Sequence, residues 1–267
     1  MTKSVMLTIG MLATLLGMPL ISLAGGTITG KVTYSGKSEE KEFLFSKFPN
    51  PKFCAKNPRK ELVKGDKRIL PTIRVGTDGG LQAAVVAVRD IEDKTFMDGF
   101  KGTDHIAEFC EWLSFTGVVV KQKNFRVENH DADPDDPGPK GDFPGKKGVL
   151  HNPHSFEQLG PSSTTVFNIA LAEKGSKLDK PVVLRKDKQG SMFRLQCDQH
   201  EFMQSFFLPV TNPHYAVVKD DGTFEIRDVP AGKHKIMAWH PFACKVEAEV
   251  DVPEGGTVPA NLSVIKK

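Results

Sequence analysis

The chain has 267 residues, with 36 Lys plus Arg against 33 Asp plus Glu and a formal charge of +3. At roughly 150 residues per domain that allows one large domain or two small ones, and a balance so near neutral argues against nucleic acid as the main partner, which needs a concentrated basic face. A hydrophobic fraction of 39% with 26% charged residues describes a globular chain, and 24 Gly with 18 Pro favour many turns and short strands.

The first residues read as a targeting segment. Lys3 supplies a positive start, Val5 to Leu23 is apolar and uncharged, and small residues stand at Ser22 and Ala24. This fits a signal peptide over 1–24 with cleavage before Gly25. An uncleaved anchor is the alternative, but Pro19 and the small-residue exit favour cleavage. No Cys follows the run, so a lipoprotein is not expected, and no other segment is apolar enough to span a membrane. The mature chain is then expected to be periplasmic or secreted, without a stable membrane anchor, where disulfides are permitted.

Further along, Thr27–Tyr34 places Ile28, Val32 and Tyr34 on one face of a period-2 strand. Residues 38–68 are charged and Pro-interrupted and read as loop. Ile69–Val75 and Leu81–Val88 look like a strand pair around Thr77-Asp78-Gly79-Gly80. Residues 89–112 are the best helical or irregular stretch, and Gly117–Val120 with Phe125–Asn129 reads as a second strand pair. Residues 131–148 hold four Pro, four Gly and five Asp, the composition of a mobile, turn-rich insertion. Asp131, Asp133, Asp135 and Asp136 invite a Ca²⁺ reading, but Pro134 and Pro137 break the register an EF-hand needs. Strands resume at Thr165–Leu171, Pro181–Leu184, Met192–Gln196 and Ser205–Val210. A last meander covers Tyr215–Val218, Gly222–Ile226, His234–Trp239, Val246–Val252 and Ala260–Ile265. The pattern is all-β.

Two distant pieces of this pattern belong together. The opening GTITGKVTYSG and the later DDGTFEIRDVPAGKHKIMAWH resemble the carboxypeptidase regulatory-like (transthyretin-like) β-sandwich family. The resemblance implies one discontinuous, prealbumin-like sandwich formed by residues 25–95 and 213–267. It is informative about fold and silent about chemistry.

The intervening residues 96–212 carry the chemistry. Cys197, His200 and Met203 follow a strand that ends at Cys197, and His151 stands in the upstream His151-Asn152-Pro153-His154. One thiolate, two imidazoles and a weak axial thioether are the ligand set of a blue-copper site. A tight turn after the strand would return His200 and Met203 to the metal held by Cys197, and His151 must arrive from a distant loop. CDQHEFM resembles the short ligand loop of the amicyanin type of cupredoxin, and HNPH resembles the family's His-Asn-x-His segment. GVVVKQKNFRVENHD is similar to the segment that leads into it, although Lys123 or Asn124 stands where the family has a Gly. The resemblance covers about residues 113–210 and implies a cupredoxin Greek-key sandwich interrupted at 131–148. The combination of exported cupredoxin and regulatory-like sandwich resembles proteins labelled methylamine-utilisation-like. It implies one copper ion on His151, Cys197, His200 and Met203, and an electron-exchange partner protein in the periplasm. His200 is expected to be the most exposed ligand and the entry edge for electrons, with Phe202 and Phe206 as a docking rim or as core.

His154 is expected at the surface, and His105, His130, His214 and His234 in turns or exposed. His240 is expected to be structural or to face the copper domain. Of the remaining cysteines, Cys54–Cys110 is the favoured disulfide, which leaves Cys244 buried and unpaired; Cys197–Cys244 is the rival and would abolish the metal site. No Gly-x-Ser-x-Gly elbow, His-Glu-x-x-His or P-loop is present, so an electron carrier without enzymatic activity is expected. A copper storage or delivery protein and a metal-free binding module are the alternatives.

Overall fold

The computed structural model describes residues 24–135 and 148–266. The expected signal peptide up to residue 23 and residues 136–147 of the Pro/Gly-rich insertion lie outside the described residues. Among those described, the chain is nearly all β. The first strands are β1 (Gly26–Tyr34), β2 (Glu39–Leu44), β3 (Val63–Lys64), β4 (Lys67–Ile73) and β5 (Val85–Val88). The middle strands are β6 (Thr103–Ala107), β7 (Trp112–Leu113), β8 (Thr116–Val119), β9 (Asn124–Asn129), β10 (Pro153–Leu159), β11 (Ser162–Asn168), β12 (Lys177–Pro181), β13 (Met192–Cys197) and β14 (Gln204–Pro209). The last are β15 (Tyr215–Val217), β16 (Thr223–Val229), β17 (Gly232–Trp239), β18 (Val246–Val252), β19 (Thr257–Pro259) and β20 (Leu262–Val264). Two short helices, α1 (Pro51–Cys54) and α2 (Lys94–Gly99), interrupt them. No helix among the described residues is long and apolar enough to cross a membrane.

β1 runs antiparallel to β16, from Gly26 opposite Val229 to Lys31 opposite Thr223, and parallel to β19 and β20. A second sheet has the order β15-β5-β17-β18. Alternation drives the packing between them. Ile28 and Val32 from β1, Phe224 and Ile226 from β16, and Val86 and Ile236 from the other sheet share one buried core.

The middle of the chain builds another pair of sheets, β11-β10-β13-β14-β8 and β12-β9-β6-β7. Their inner faces meet through Phe125 of β9, whose ring lies 4.9 Å from both Phe193 of β13 and Phe207 of β14. Three large aromatics meet there at fully buried positions.

Several pairings differ from the expectation. β4 and β5 do not pair with each other: β4 lies between β2 and β3, while β5 lies between β15 and β17. A single bridge, Val75 to Leu81, remains of the expected hairpin. β8 and β9 likewise sit in different sheets, parallel to β14 and β6 respectively. Between them Gln122 takes a left-handed φ of 65°, and this turn sends the chain across the sandwich instead of back along the same sheet. Residues 89–112 form the short α2, capped by the Asp93 carboxylate on the Phe96 N–H, followed by β6 and β7.

Residues 38–68 were expected as loop and are instead ordered. β2 pairs with β4 from Glu39 opposite Ile73 to Leu44 opposite Lys67. Its exposed face is laced by Lys64–Glu40 and Lys67–Glu42, each at 2.6 Å. Exposed pairs like these add little stability. The apolar side does more: Phe45, Phe53 and Cys54 lie in the same core cluster as Cys197 and Met203, with Phe43 and Phe48 against it. The segment is a cap on the middle sandwich. Asn50 enters α1 with a left-handed φ of 49°, and Pro51 occupies the first helical turn, where its missing N–H costs nothing.

Candidate metal centre

β13 delivers Cys197 at its last residue. The turn that follows is closed by hydrogen bonds from His200 N–H to Cys197 O at 3.2 Å and from Met203 N–H to His200 O at 2.8 Å. The Cys197 N–H returns to Met203 O at 3.1 Å. Two overlapping turns thus fold His200 back beside Cys197. His151 arrives from the other side, in a bridge with Leu171 just before β10. Asn129 holds this approach: its side-chain N–H groups donate to Val149 O and Leu171 O, at 2.8 and 3.0 Å.

The result is a convergence of three donors. Cys197 Sγ lies 3.8 Å from His151 Nδ1 and 3.7 Å from His200 Nδ1, and the two imidazole centroids are 5.2 Å apart. All three side chains are fully buried. For comparison, bonds of about 2.0–2.1 Å to nitrogen and about 2.3 Å to sulfur, 120° apart, separate N from S by about 3.8 Å. The donor spacing therefore fits a first-row ion in a trigonal plane. Met203, the fourth expected ligand, is buried in the same cluster and tied to the turn through its backbone.

Both imidazoles are oriented from behind. His200 Nε2 lies 3.1 Å from the carbonyl oxygen of Pro49. A carbonyl can only accept, so Nε2 carries a proton in this contact, and Nδ1 is the ring nitrogen turned toward Cys197. His151 Nε2 lies 2.8 Å from the Asp131 carboxylate, itself 2% exposed. The same carboxylate accepts the N–H groups of Phe109 and Cys110, at 2.5 and 2.8 Å. The Asn152 N–H donates to Cys197 Sγ at 3.3 Å.

Protonation follows from these contacts. Burial pushes the Cys197 thiol up, but hydrogen bonds and charge from His151 and His200 outweigh it and bring its pKa down to about 6. Burial also opposes charge on His151, yet Asp131 and Cys197 raise it to about 9. Both shifts favour the thiolate–imidazolium form of the pair, and a metal ion bound there would displace the imidazolium proton.

His200 was expected at the surface and is not. It is fully buried, and Phe202 and Phe206 are 2% and 3% exposed, so neither forms a rim. The cause is the cap. The rings of Phe43, Phe45 and Phe48 meet Phe202 edge-on at 6.1, 6.2 and 5.1 Å, and the Arg68 guanidinium lies 5.3 Å from its centroid. Pro49 itself is exposed. The Cys54–Cys110 disulfide joins the cap to the middle sandwich, with Cα atoms 5.2 Å apart. Its sulfurs approach the centre: donor atoms of Cys54, Cys110 and His200 lie within 4.8 Å of one another, as do those of Cys110, Asp131 and His151. A disulfide does not serve as a thiolate ligand, so these two groups mark crowding around the three-donor site.

The other histidines lie elsewhere. His154 bonds Asp198 and Thr165 at the edge of β10. His105 is buried, against the expected exposure or turn, with Nε2 3.1 Å from Ser205 Oγ and Trp112, Phe125 and Phe207 around it. His240 lines a cavity of about 250 Å³ together with Phe115, Trp112 and Met203, where the two sandwiches meet. Cys244 is free and only half-buried.

No protein-family model matches the chain, and no curated protein does. Among solved structures, the chain is similar to a Cu-containing nitrite reductase (NirK) from Thermus scotoductus SA-01, at 9% sequence identity and a TM-score of 0.29. The match covers 42% of this chain and 23% of that one, so the chain spans about a quarter of the length of that structure.

Proposed function

We propose that this chain is an exported copper protein that passes single electrons, with His151, Cys197 and His200 as equatorial ligands and Met203 as the axial one. The observation that carries this reading is the spacing of three buried donors, 3.7–3.8 Å from thiol to imidazole, with both Nδ1 atoms turned inward. Copper held by such a set alternates between Cu(I) and Cu(II), soft sulfur suiting the first and imidazole both.

The residues of the chain supply the rest. Cys197 is a thiolate at neutral pH and needs no strong base to bind. Asp131 and the Pro49 carbonyl fix the two rings, so little movement accompanies a change of charge. The Asn152 N–H withdraws density from the thiolate sulfur. The cap keeps water from the ligands, and its exposed Pro49, one hydrogen bond from His200, is the contact through which a periplasmic partner reaches the site. The sandwich built from both ends of the chain carries no comparable cluster among the described residues and serves as scaffold.

The test is a titration of the purified, metal-free mature chain with Cu(II). An intense visible thiolate-to-copper band, with a narrow hyperfine splitting in electron paramagnetic resonance, is the expected result. Absence of the band overturns the electron-carrier reading. Complete covering of His200 favours a second reading, copper storage, in which Cu(I) binds one to one and no coloured Cu(II) form accumulates.

A further inference from the structure

We infer that Asp131 is the positioning residue of the centre: its carboxylate fixes the ring of His151, raises the donor strength of that ligand, and ties it to the cap through the backbone of Cys110. The inference rests on the proposed metal site and says what governs it.

Three distances carry the argument. Asp131 Oδ2 lies 2.8 Å from His151 Nε2 and 2.8 Å from the Cys110 N–H, so one oxygen serves both. Oδ1 takes the Phe109 N–H at 2.5 Å. Phe109 and Cys110 have left-handed φ values of 48° and 51°. Non-glycine residues adopt that conformation only where surroundings enforce it, and a carboxylate accepting two successive N–H groups is such an enforcement. Asp131 is in turn placed by its own N–H, which donates to Asn129 Oδ1 at 2.9 Å. That is the same Asn129 whose amide donates to Val149 O and Leu171 O on either side of His151.

The chemistry follows. An imidazole whose Nε2–H donates to a carboxylate is a stronger donor at Nδ1 than one bonded to a carbonyl, as His200 is to Pro49. The two ring ligands are therefore unequal, with His151 the more basic. A buried negative charge one imidazole away from the ion also favours Cu(II) over Cu(I). Because Oδ2 is shared with the Cys110 N–H, any displacement of the disulfide turn shifts the ring that binds the metal.

The experiment compares Asp131→Asn, which keeps an acceptor oxygen and removes the charge, with Asp131→Ala, which removes both. Metal-free ¹⁵N-labelled protein is read first. In the wild type, the His151 Nε2 proton should appear as a slowly exchanging downfield signal, displaced in Asp131→Asn and absent in Asp131→Ala. Chelator competition follows, with Cu(II) and with Co(II), which does not change oxidation state under the assay. Asp131→Ala should weaken both metals about 10–100-fold. Asp131→Asn should weaken Cu(II) about tenfold more than Cu(I), a rise in reduction potential of about 59 mV for one electron. Unchanged affinity and potential in both variants, with wild-type melting curves, overturn the role assigned to Asp131. A normal His151 signal in Asp131→Ala overturns the positioning in the protein without metal. A wild type that shows no thiolate band with either metal instead overturns the copper reading, while the metal-free spectra still decide the fate of the Asp131–His151 pair.

Discussion

His105 makes the stability of the metal-free protein depend on acid. Its ring is 3% exposed, surrounded by Trp112, Phe125 and Phe207, and burial alone lowers its pKa to about 3. In the unfolded chain it titrates near 6.5. A depressed pKa contributes stability that is fully present above 6.5 and is lost as pH falls toward 3, because the unfolded chain takes up the proton first. At pH 5 the loss is one and a half units at about 1.4 kcal/mol each, or about 2 kcal/mol. The Cys197–His151 pair does not mask it. His151, raised to about 9, loses its contribution as pH rises, and Cys197, lowered to about 6, loses its own as pH falls. From pH 9 to 7 the two cancel, and between 6.5 and 6 they add less than about 1 kcal/mol in the same direction as His105. Urea unfolding of metal-free wild type and His105→Gln at pH 5, 6 and 7 isolates the effect. The glutamine can still reach Ser205 but does not titrate. The wild type should lose about 2 kcal/mol more than the variant between pH 7 and 5. Equal pH dependence in the two proteins would refute the assignment of a neutral, buried His105.

Three further outcomes are expected. Phe202→Ala removes the ring on which three cap phenylalanines and Arg68 converge, and should cost about 3–5 kcal/mol in denaturant unfolding, with the cap's amides losing protection from hydrogen exchange before those of β13. Reducing the Cys54–Cys110 bridge, or replacing both cysteines by serine, releases a loop closed over 56 residues of separation and should cost about 4 kcal/mol by chain entropy, read as a lower melting temperature. Cys197→Ser should abolish the visible copper band, whereas Met203→Leu should retain it with shifted energy and potential; a band that survives in Cys197→Ser removes the thiolate from the centre.

The compact half of the site was legible because local chain geometry makes it. A strand ending at Cys197 and the tight turn after it fold His200 back beside the thiol, with Met203 bonded to the same turn through its backbone. His151 was legible only through its Asn-x-His neighbourhood, since nothing local joins it to Cys197. Asp131 was missed as the partner of His151: the sequence offered it only as one of four acids in a broken calcium register, and its role depends on two left-handed residues some twenty positions earlier folding against it. The cap was missed for a different reason. Phe43, Phe45, Phe48 and Phe53 lie in a stretch whose charges and whose Pro49, Pro51 and Pro58 read as loop, and an apolar face made largely of turns has no period to reveal it. The mispaired strands show the same limit. Neighbouring strands usually pair, and at Gln122 a single left-handed residue sends the chain to the opposite sheet.

The cap also decides how quickly the centre communicates with its surroundings. Pro49 covers His200, and the bridge from Cys54 to Cys110 fastens that cover a few ångströms from the ligands. An ion held there would leave only when the cover lifts, so its residence time would be set by an opening rate rather than by bond strength, and a chelator added in excess would wait on that rate. Loading faces the same gate from outside. Before the Cys54–Cys110 bridge forms and the phenylalanines seat, no cover stands in the way, and that interval of folding is when the three donors are easiest for an ion to reach.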